Sequence, residues 1–174
     1  HDSQDAIIFS LDDTEFRKVN KLLLEYEYHL YIKLHPLEES QFKFKNNYSN
    51  IHMLSEDLIS QRYGTLYKFL GTTSALITDY SSVFLDYYLL NRPVAFTIND
   101  YEEYKENRGF VFDDVKSLMA GPTVSNLDDL LAFLNSVMMS EDEFYVERNE
   151  INSIVNSIQR DFTKTLLENV GIEK

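Results

Sequence analysis

The chain has 174 residues, of which 44% are hydrophobic, and this is enough for one domain with a substantial core. Its net charge of −13, from 16 basic and 29 acidic residues, argues against binding nucleic acid or anionic lipid through bulk electrostatics. The absence of cysteine excludes a disulfide framework and a cysteine-based metal site.

The hydrophobic pattern predicts strands that alternate with helices. Strands are predicted at 6–11, 28–34, 51–54, 75–78 and 94–98, and helices at 12–27, 65–70, 81–90, from about 126, and over much of 141–170. Such alternation is typical of α/β proteins with a Rossmann-like, doubly wound parallel sheet. Ligands of these sheets bind beyond the carboxyl ends of the strands.

The segment Thr78-Asp79-Tyr80-Ser81-Ser82 joins a predicted apolar strand to an apolar helix whose one charged residue before Asn91 is Asp86. A helix that begins in small hydroxyl residues presents unpaired backbone N–H groups, which attract anions. Asp79, Ser82 and Asp86 are spaced to line one stripe of that helix. Asp86 would lie about 6 Å beyond Ser82, which is a span that fits a phosphate and a ribose. The pattern predicts a nucleotide-diphosphate site.

A structural interpretation explains the same residues. Asp79 would be an N-cap, Ser81 and Ser82 would be tolerated in the first turn, and Asp86 would pair with Arg92. However, a carboxylate in an otherwise apolar helix is costly unless a partner meets it, which favours a functional role for Asp86.

A second motif, Lys33-Leu34-His35-Pro36, ends the strand predicted at 28–34. Lys33 and His35 project from the same strand face, and His35 can donate a hydrogen bond to a phosphate oxygen. For the tetrapeptide alone, a histidine bonded to a loop carbonyl is the favoured interpretation. Because His35 and Asp79 both follow predicted strand ends, we expect them to share one site.

Together these motifs resemble the CDP-glycerol glycerophosphotransferases of teichoic acid synthesis, at their carboxy-terminal nucleotide-binding domain. The resemblance spans roughly residues 28–124 and rests on these segments: Lys33 to Pro36, Leu76 to Tyr87, Asn91 to Phe96, Tyr101, Tyr104, Arg108 to Asp113, and Gly121-Pro122. The Thr-Asp-Tyr-Ser-Ser block followed by Asp86 and Arg92-Pro93 is the most specific part.

The resemblance implies a GT-B enzyme, in which two Rossmann-like domains face each other across a cleft. Residues 1–174 would be a single donor-binding domain of a longer protein. The implied partners are a CDP-activated glycerol or ribitol donor, a missing amino-terminal acceptor domain, and a lipid-linked acceptor bound through that domain. No cofactor, metal or nucleic acid is implied. The expected location is cytoplasmic, with the full-length protein at the inner face of the cell membrane.

The resemblance also assigns roles to the phosphate-binding side chains. His35 would act as a catalytic residue that contacts the donor diphosphate, with Lys33 and Arg108 as further substrate contacts. An acceptor hydroxyl attacks the β-phosphorus and CMP leaves, while protonated His35 and backbone N–H groups stabilise the developing charge. The base that activates the hydroxyl is a histidine of the missing domain, so we expect the isolated chain to transfer nothing.

The remaining roles lie on the turn and its helix. Ser81 and Ser82 would hold phosphate oxygens, and Asp86 would accept hydrogen bonds from the ribose hydroxyls. Asp79 would organise the turn, because its charge repels the diphosphate.

Two segments depart from the family pattern. Phe9 to Asp13 stands where the family has a proline-containing turn leading to a threonine and an arginine, and Ile151 to Gly171 lacks a clear glycine- and serine-containing segment with an arginine. These departures leave the donor open and suggest a divergent enzyme.

Three other functions compete with this one. A GT-B glycosyltransferase that uses a nucleotide sugar would share the same fold and phosphate site. A phosphoacceptor receiver domain is suggested by Asp12-Asp13, but Asp79 comes too late and no lysine follows residues 94–98. A non-catalytic interaction domain would use the aromatic-rich loops: Phe42, Phe44, Tyr48, Tyr101 and Tyr104. The four histidines are dispersed, without a zinc-type spacing.

Overall fold

The computed structural model describes residues 10–34, 44, 46–98 and 115–157. Their helices and strands follow in this order: α1 (Asp13–Glu25), β1 (Leu30–Ile32), β2 (Ile51–Met53), α2 (Glu56–Arg62), α3 (Leu66–Leu70), β3 (Leu76–Thr78), α4 (Val83–Tyr87), β4 (Val94–Phe96), α5 (Leu127–Met138) and α6 (Tyr145–Val155). Short 3₁₀ turns occupy Tyr88–Leu90 and Val115–Leu118.

The described strands form two parallel pairs. β1 lies beside β2 with Leu30 opposite Ile51, and β3 lies beside β4 with Leu76 opposite Val94. Parallel neighbours need a crossover connection, which α4 supplies between β3 and β4. The predicted strands at 28–34, 51–54, 75–78 and 94–98 are confirmed in shorter form, whereas 6–11 lies almost wholly outside the described residues.

Helices cover both faces of the strands. Val94 and Phe96 of β4 join one buried cluster, with side chains of α2, α3, α4 and α6, while Ala95 between them joins the other, with α1 and α5. Neighbouring side chains of a strand point to opposite faces of the sheet. A strand that is buried on both faces therefore has a continuous apolar run in its sequence. This layering is the doubly wound α/β arrangement that the sequence predicts.

The helix ends follow local capping chemistry. Asp12 and Glu15 form a reciprocal capping box at the start of α1, with both hydrogen bonds at 2.9 Å. Asn126 accepts the N–H of Asp129 at 3.0 Å and starts α5, and Gly71 ends α3. These contacts confirm the predicted starts of α1 near residue 12 and of α5 near residue 126. They also confirm the predicted end of α3 at Gly71.

Two predictions of helices need correction. The helix expected at 81–90 is the five-residue α4 followed by a 3₁₀ turn, which ends at Asn91 in a left-handed conformation with φ 47°. The sequence pattern also missed α2, because it is short and polar and buries Ile59 alone. Of the helical segment expected at 141–170, α6 is described and residues beyond 157 are outside the described part. None of the described helices is long and apolar enough to cross a bilayer.

Candidate functional site

The segment after β3 is a tight turn that Asp79 closes. The Asp79 carboxylate accepts the backbone N–H of Ser81 at 2.9 Å, which is the two-residue pattern of an Asx turn. Thr97, just after β4, donates its N–H to the carbonyl of Thr78 at 2.9 Å and fixes the end of β3. Asp79 therefore organises the turn and lies outside the helix, so the expected helical stripe contains Ser82 and Asp86 without Asp79.

Two exposed serines follow this turn. Ser82 is the N-cap of α4, but its hydroxyl makes no capping hydrogen bond. Ser81 is also exposed, and its carbonyl accepts the N–H of Phe84. The structure thus rejects the interpretation of Asp79 as an N-cap, and it leaves the Ser82 side chain exposed.

Asp86 faces a groove between α3 and α4. Its Oδ2 accepts a hydrogen bond from the hydroxyl of Tyr67 at 2.9 Å, which raises the pKa of Tyr67 above its ordinary value. The alternative that pairs Asp86 with Arg92 is wrong, because Arg92 donates to the carbonyl oxygens of Gly71 and Thr73. The Tyr67 contact has no signature in the sequence, since the two residues are 19 positions apart.

Lys33 lies just beyond β1 and is partly buried. Its Nζ forms a 2.7 Å salt bridge with Glu56 at the start of α2. Lys33 therefore lies beside the start of α2, which follows the carboxyl end of β2. Two predicted site residues, His35 and Arg108, lie outside the described residues.

The acidic pair that suggested a receiver domain has structural partners. Asp12 caps α1, and Asp13 accepts hydrogen bonds from Tyr48 at 2.6 Å, from Arg17 at 2.8 Å and from Asn46. These bonds, with Tyr48 contributing most, lower the pKa of Asp13 to about 2. Burial and the bond to Asp13 raise the pKa of Tyr48 to about 12.

The aromatic loop side chains in the described part pack locally. The ring centroids of Phe44 and Tyr48 lie 5.1 and 5.6 Å, respectively, from the ring centroid of Phe16 on α1. They therefore contribute to the core beneath α1. Phe42, Tyr101 and Tyr104, which the interaction hypothesis also used, are outside the described residues.

Two histidines that are far apart in sequence meet on the β1–β2 pair. His29 Nδ1 lies 2.9 Å from His52 Nε2, and the ring of Tyr31 lies 5.0 Å from that of His52. Burial, and then the charge of His29, lower the pKa of His52. Within the described ranges no group of three or more His, Asp or Glu side chains is placed to hold a metal ion.

A polar cavity of about 480 Å³ opens at the opposite, amino-terminal end of β3 and β4. Arg92 and Asp142 are its charged lining residues, and hydroxyl residues line the rest together with Tyr28, Pro93 and Val137. Asp142 forms a salt bridge with the fully buried Arg148, which also donates to Asn91 at 3.2 Å. The charged groups of this cavity are therefore held by partners within the fold.

Comparison with known proteins identifies the family of this chain. The model of the family described as CDP-Glycerol:Poly(glycerophosphate) glycerophosphotransferase matches residues 2–161. The chain belongs to this family. Family members similar to it include a teichoic acid glycerol-phosphate primase of Bacillus subtilis, 32% identical over 108 residues, and a teichoic acid poly(ribitol-phosphate) polymerase of Bacillus spizizenii, 32% identical over 111 residues. These matches cover 62% and 64% of the chain, but the chain spans 26% and 17% of the two relatives.

The fold is also that of a solved family member. The wall teichoic acid polymerase TagF matches 92% of the chain with a TM-score of 0.56 and 21% identity, and the chain spans 42% of that structure. A variant of the same polymerase soaked with CDPG matches 85% of the chain with a TM-score of 0.53. The likeness confirms the predicted α/β fold class.

Proposed function

We propose that residues 1–174 form a single donor-binding domain of a polyol-phosphate transferase that makes teichoic acid or a related cell-surface polymer. The donor is CDP-glycerol or CDP-ribitol. The observation that carries the proposal is the turn at 79–82, where Asp79 holds the backbone while the Ser81 and Ser82 side chains stay exposed. Membership of the glycerophosphotransferase family supports this chemistry.

The diphosphate would lie against Ser81 and Ser82. Serine hydroxyls donate to phosphate oxygens, and hydrogen bonds to charged groups are shorter and stronger than neutral ones. Lys33 supplies positive charge, since an ammonium has three N–H donors and its salt bridge with Glu56 leaves others for an anion. His35 and Arg108, which are outside the described residues, complete the proposed set of contacts.

The reaction is displacement at the β-phosphorus of the donor. Fixed donors at the turn and protonated His35 stabilise the negative charge that grows on the leaving CMP. The base that activates the acceptor hydroxyl belongs to a separate amino-terminal domain, so this chain binds donor and does not turn it over alone. That other domain also binds the lipid-linked acceptor at the inner face of the cell membrane, because a charge of −13 repels anionic lipid.

A nucleotide titration tests the proposal. Backbone amide signals of the chain would be followed by NMR as CDP, CDP-glycerol, UDP and GDP are added. We expect saturable shifts centred on Ser81, Ser82 and Asp86, with the cytidine nucleotides bound most tightly. Tighter binding of UDP or GDP would replace the proposal with a nucleotide-sugar glycosyltransferase.

Replacement of the serines sharpens the test. The double change Ser81→Ala and Ser82→Ala should lower the affinity for CDP-glycerol about a hundredfold, as expected for the loss of two hydrogen bonds to a charged group. Ser60→Ala, an equally exposed serine on α2, is the matched control and should bind as the wild type does. Unchanged affinity in a folded double variant would remove the turn from the phosphate site.

A further inference from the structure

The groove between α3 and α4 combines one carboxylate with a largely apolar wall. It has a volume of about 240 Å³, and its lining residues with polar side-chain atoms are Tyr67, Asp86 and Tyr87. The hydroxyl of Tyr87 is already hydrogen-bonded to Thr73 at 2.8 Å. Leu70, Leu89 and Leu90 form much of the remaining surface, and Leu89 and Leu90 are themselves exposed. A nucleoside has this mixed character, because its ribose diol is polar and the face of its base is apolar.

One oxygen of Asp86 is fixed within the groove. The Tyr67 hydroxyl donates to Oδ2 at 2.9 Å, while the bonds found among the described residues leave Oδ1 without a protein donor. An ionised carboxylate only accepts hydrogen bonds, so a vicinal diol that donates to Oδ1 would suit it. Without Tyr67, the Asp86 side chain would exchange among its staggered rotamers.

The position of Tyr67 argues for more than packing. Its side chain is 61% exposed, and its ring does not belong to the buried core. Holding an exposed side chain against a surface carboxylate contributes little to stability, since exposed polar contacts are weak. The contact instead restricts the one charged side chain in the groove.

We propose that Tyr67 is a positioning residue, which orients Asp86 toward the ribose hydroxyls of the bound nucleotide. This inference rests on the proposed donor-binding function. It adds a residue that makes the site selective for ribonucleotides, through a carboxylate held in one orientation by a neighbouring helix. The hydrogen bond to Asp86 raises the pKa of Tyr67, and the negative charge of Asp86 raises it further.

The geometry can be tested without a ligand. Tyrosine labelled at the ring carbon next to the hydroxyl reports each pKa by NMR titration of the full chain. In the Asp86→Asn variant we expect the pKa of Tyr67 to fall toward its ordinary value of 10.0. An unchanged Tyr67 pKa would overturn the contact on which the inference stands.

The function is tested by comparing CDP with 2′,3′-dideoxy-CDP. Tyr67→Phe should weaken CDP binding about fivefold, roughly the value of one hydrogen bond, and leave dideoxy-CDP binding unchanged. Asp86→Asn should remove the preference for CDP over dideoxy-CDP. Adding Tyr67→Phe to Asp86→Asn should cause no further loss of CDP affinity. Tyr145→Phe is the matched control and should behave as the wild type.

The outcomes separate this inference from the function beneath it. If the wild type binds CDP and Tyr67→Phe either keeps the full preference for CDP or weakens both ligands equally, Tyr67 is not a positioning residue and the donor-binding proposal stands. If the wild type shows no saturable binding of CDP, both proposals are overturned.

Discussion

The two ends of the β3–β4 pair are both rich in polar side chains, but these side chains have different partners. At the amino end, Arg92 donates to backbone carbonyls and Arg148 is buried against Asp142. At the carboxyl end, Ser81 and Ser82 are exposed, and the Ser82 hydroxyl makes no capping bond. The larger cavity lies at the amino end, where the polar groups hold the fold together. The two ends therefore differ in how many of their polar side chains already have partners within the described part of the fold.

The largest loss of stability should come from adding a methyl group at Gly121, beside the amino end of β4. A Cβ on Gly121 would lie 1.9 Å from the carbonyl oxygen of Val94, so Gly121→Ala forces the backbone of β4 to move. We expect a loss of about 4 kcal/mol in the free energy of unfolding, measured by urea denaturation. The glycine control is Gly71→Ala, whose added Cβ meets its neighbours at 3.4 Å and beyond. Equal stability of the two variants would contradict the tight contact at β4.

A smaller effect should follow from uncoupling the buried arginine. Asp142→Asn leaves the charge of the fully buried Arg148 without its carboxylate, which should cost about 3 kcal/mol. The exposed neighbour Glu143→Gln is the control, and Ser82→Ala at the carboxyl end should change stability by less than about 0.5 kcal/mol. If Ser82→Ala proved as damaging as Asp142→Asn, the distinction between a structural end and a binding end would fail.

The smallest effect concerns pH and the β1–β2 pair. The pKa of His52 is lowered in the folded state. As the pH falls below the ordinary histidine value of 6.5, the unfolded chain therefore binds more protons at His52 than the folded chain does. Stability should therefore decline as the pH falls through 6.5, and this contribution should level off below the lowered pKa. His52→Gln should remove that part of the slope in urea titrations between neutral and mildly acidic pH. An identical slope in the variant would show that His52 does not link folding to pH.

Most of the secondary structure near the site could be predicted because its causes are local. Asp79 accepts a backbone N–H two residues further along the chain. Asp12 and Asn126 start their helices by each accepting a backbone N–H three residues further along. Apolar runs and alternation likewise located the four described strands. The extent of α4 was overestimated, because an apolar pattern does not distinguish an α-helix from a 3₁₀ turn closed by Asn91.

The partners of the charged side chains could not be predicted in this way. The structural alternative pairs Asp86 with Arg92, six residues away, but Asp86 bonds to Tyr67 across the groove. His29 and His52 are 23 positions apart in the sequence, and the parallel pairing of β1 and β2 brings them together. Such contacts depend on which helices and strands become neighbours, and sequence spacing does not contain that information.

The sequence by itself determined the α/β class, the family and the turn at 79–82, because apolar periodicity, motif order and short-range hydrogen bonds are all written along the chain. Only the tertiary structure decided that Tyr67 holds Asp86, that Arg148 is buried against Asp142, and that the carboxyl end of β3 keeps its serines exposed. The physical reason is that a charged or polar side chain takes the partner that packing brings within hydrogen-bond distance, and packing joins residues that are remote in sequence.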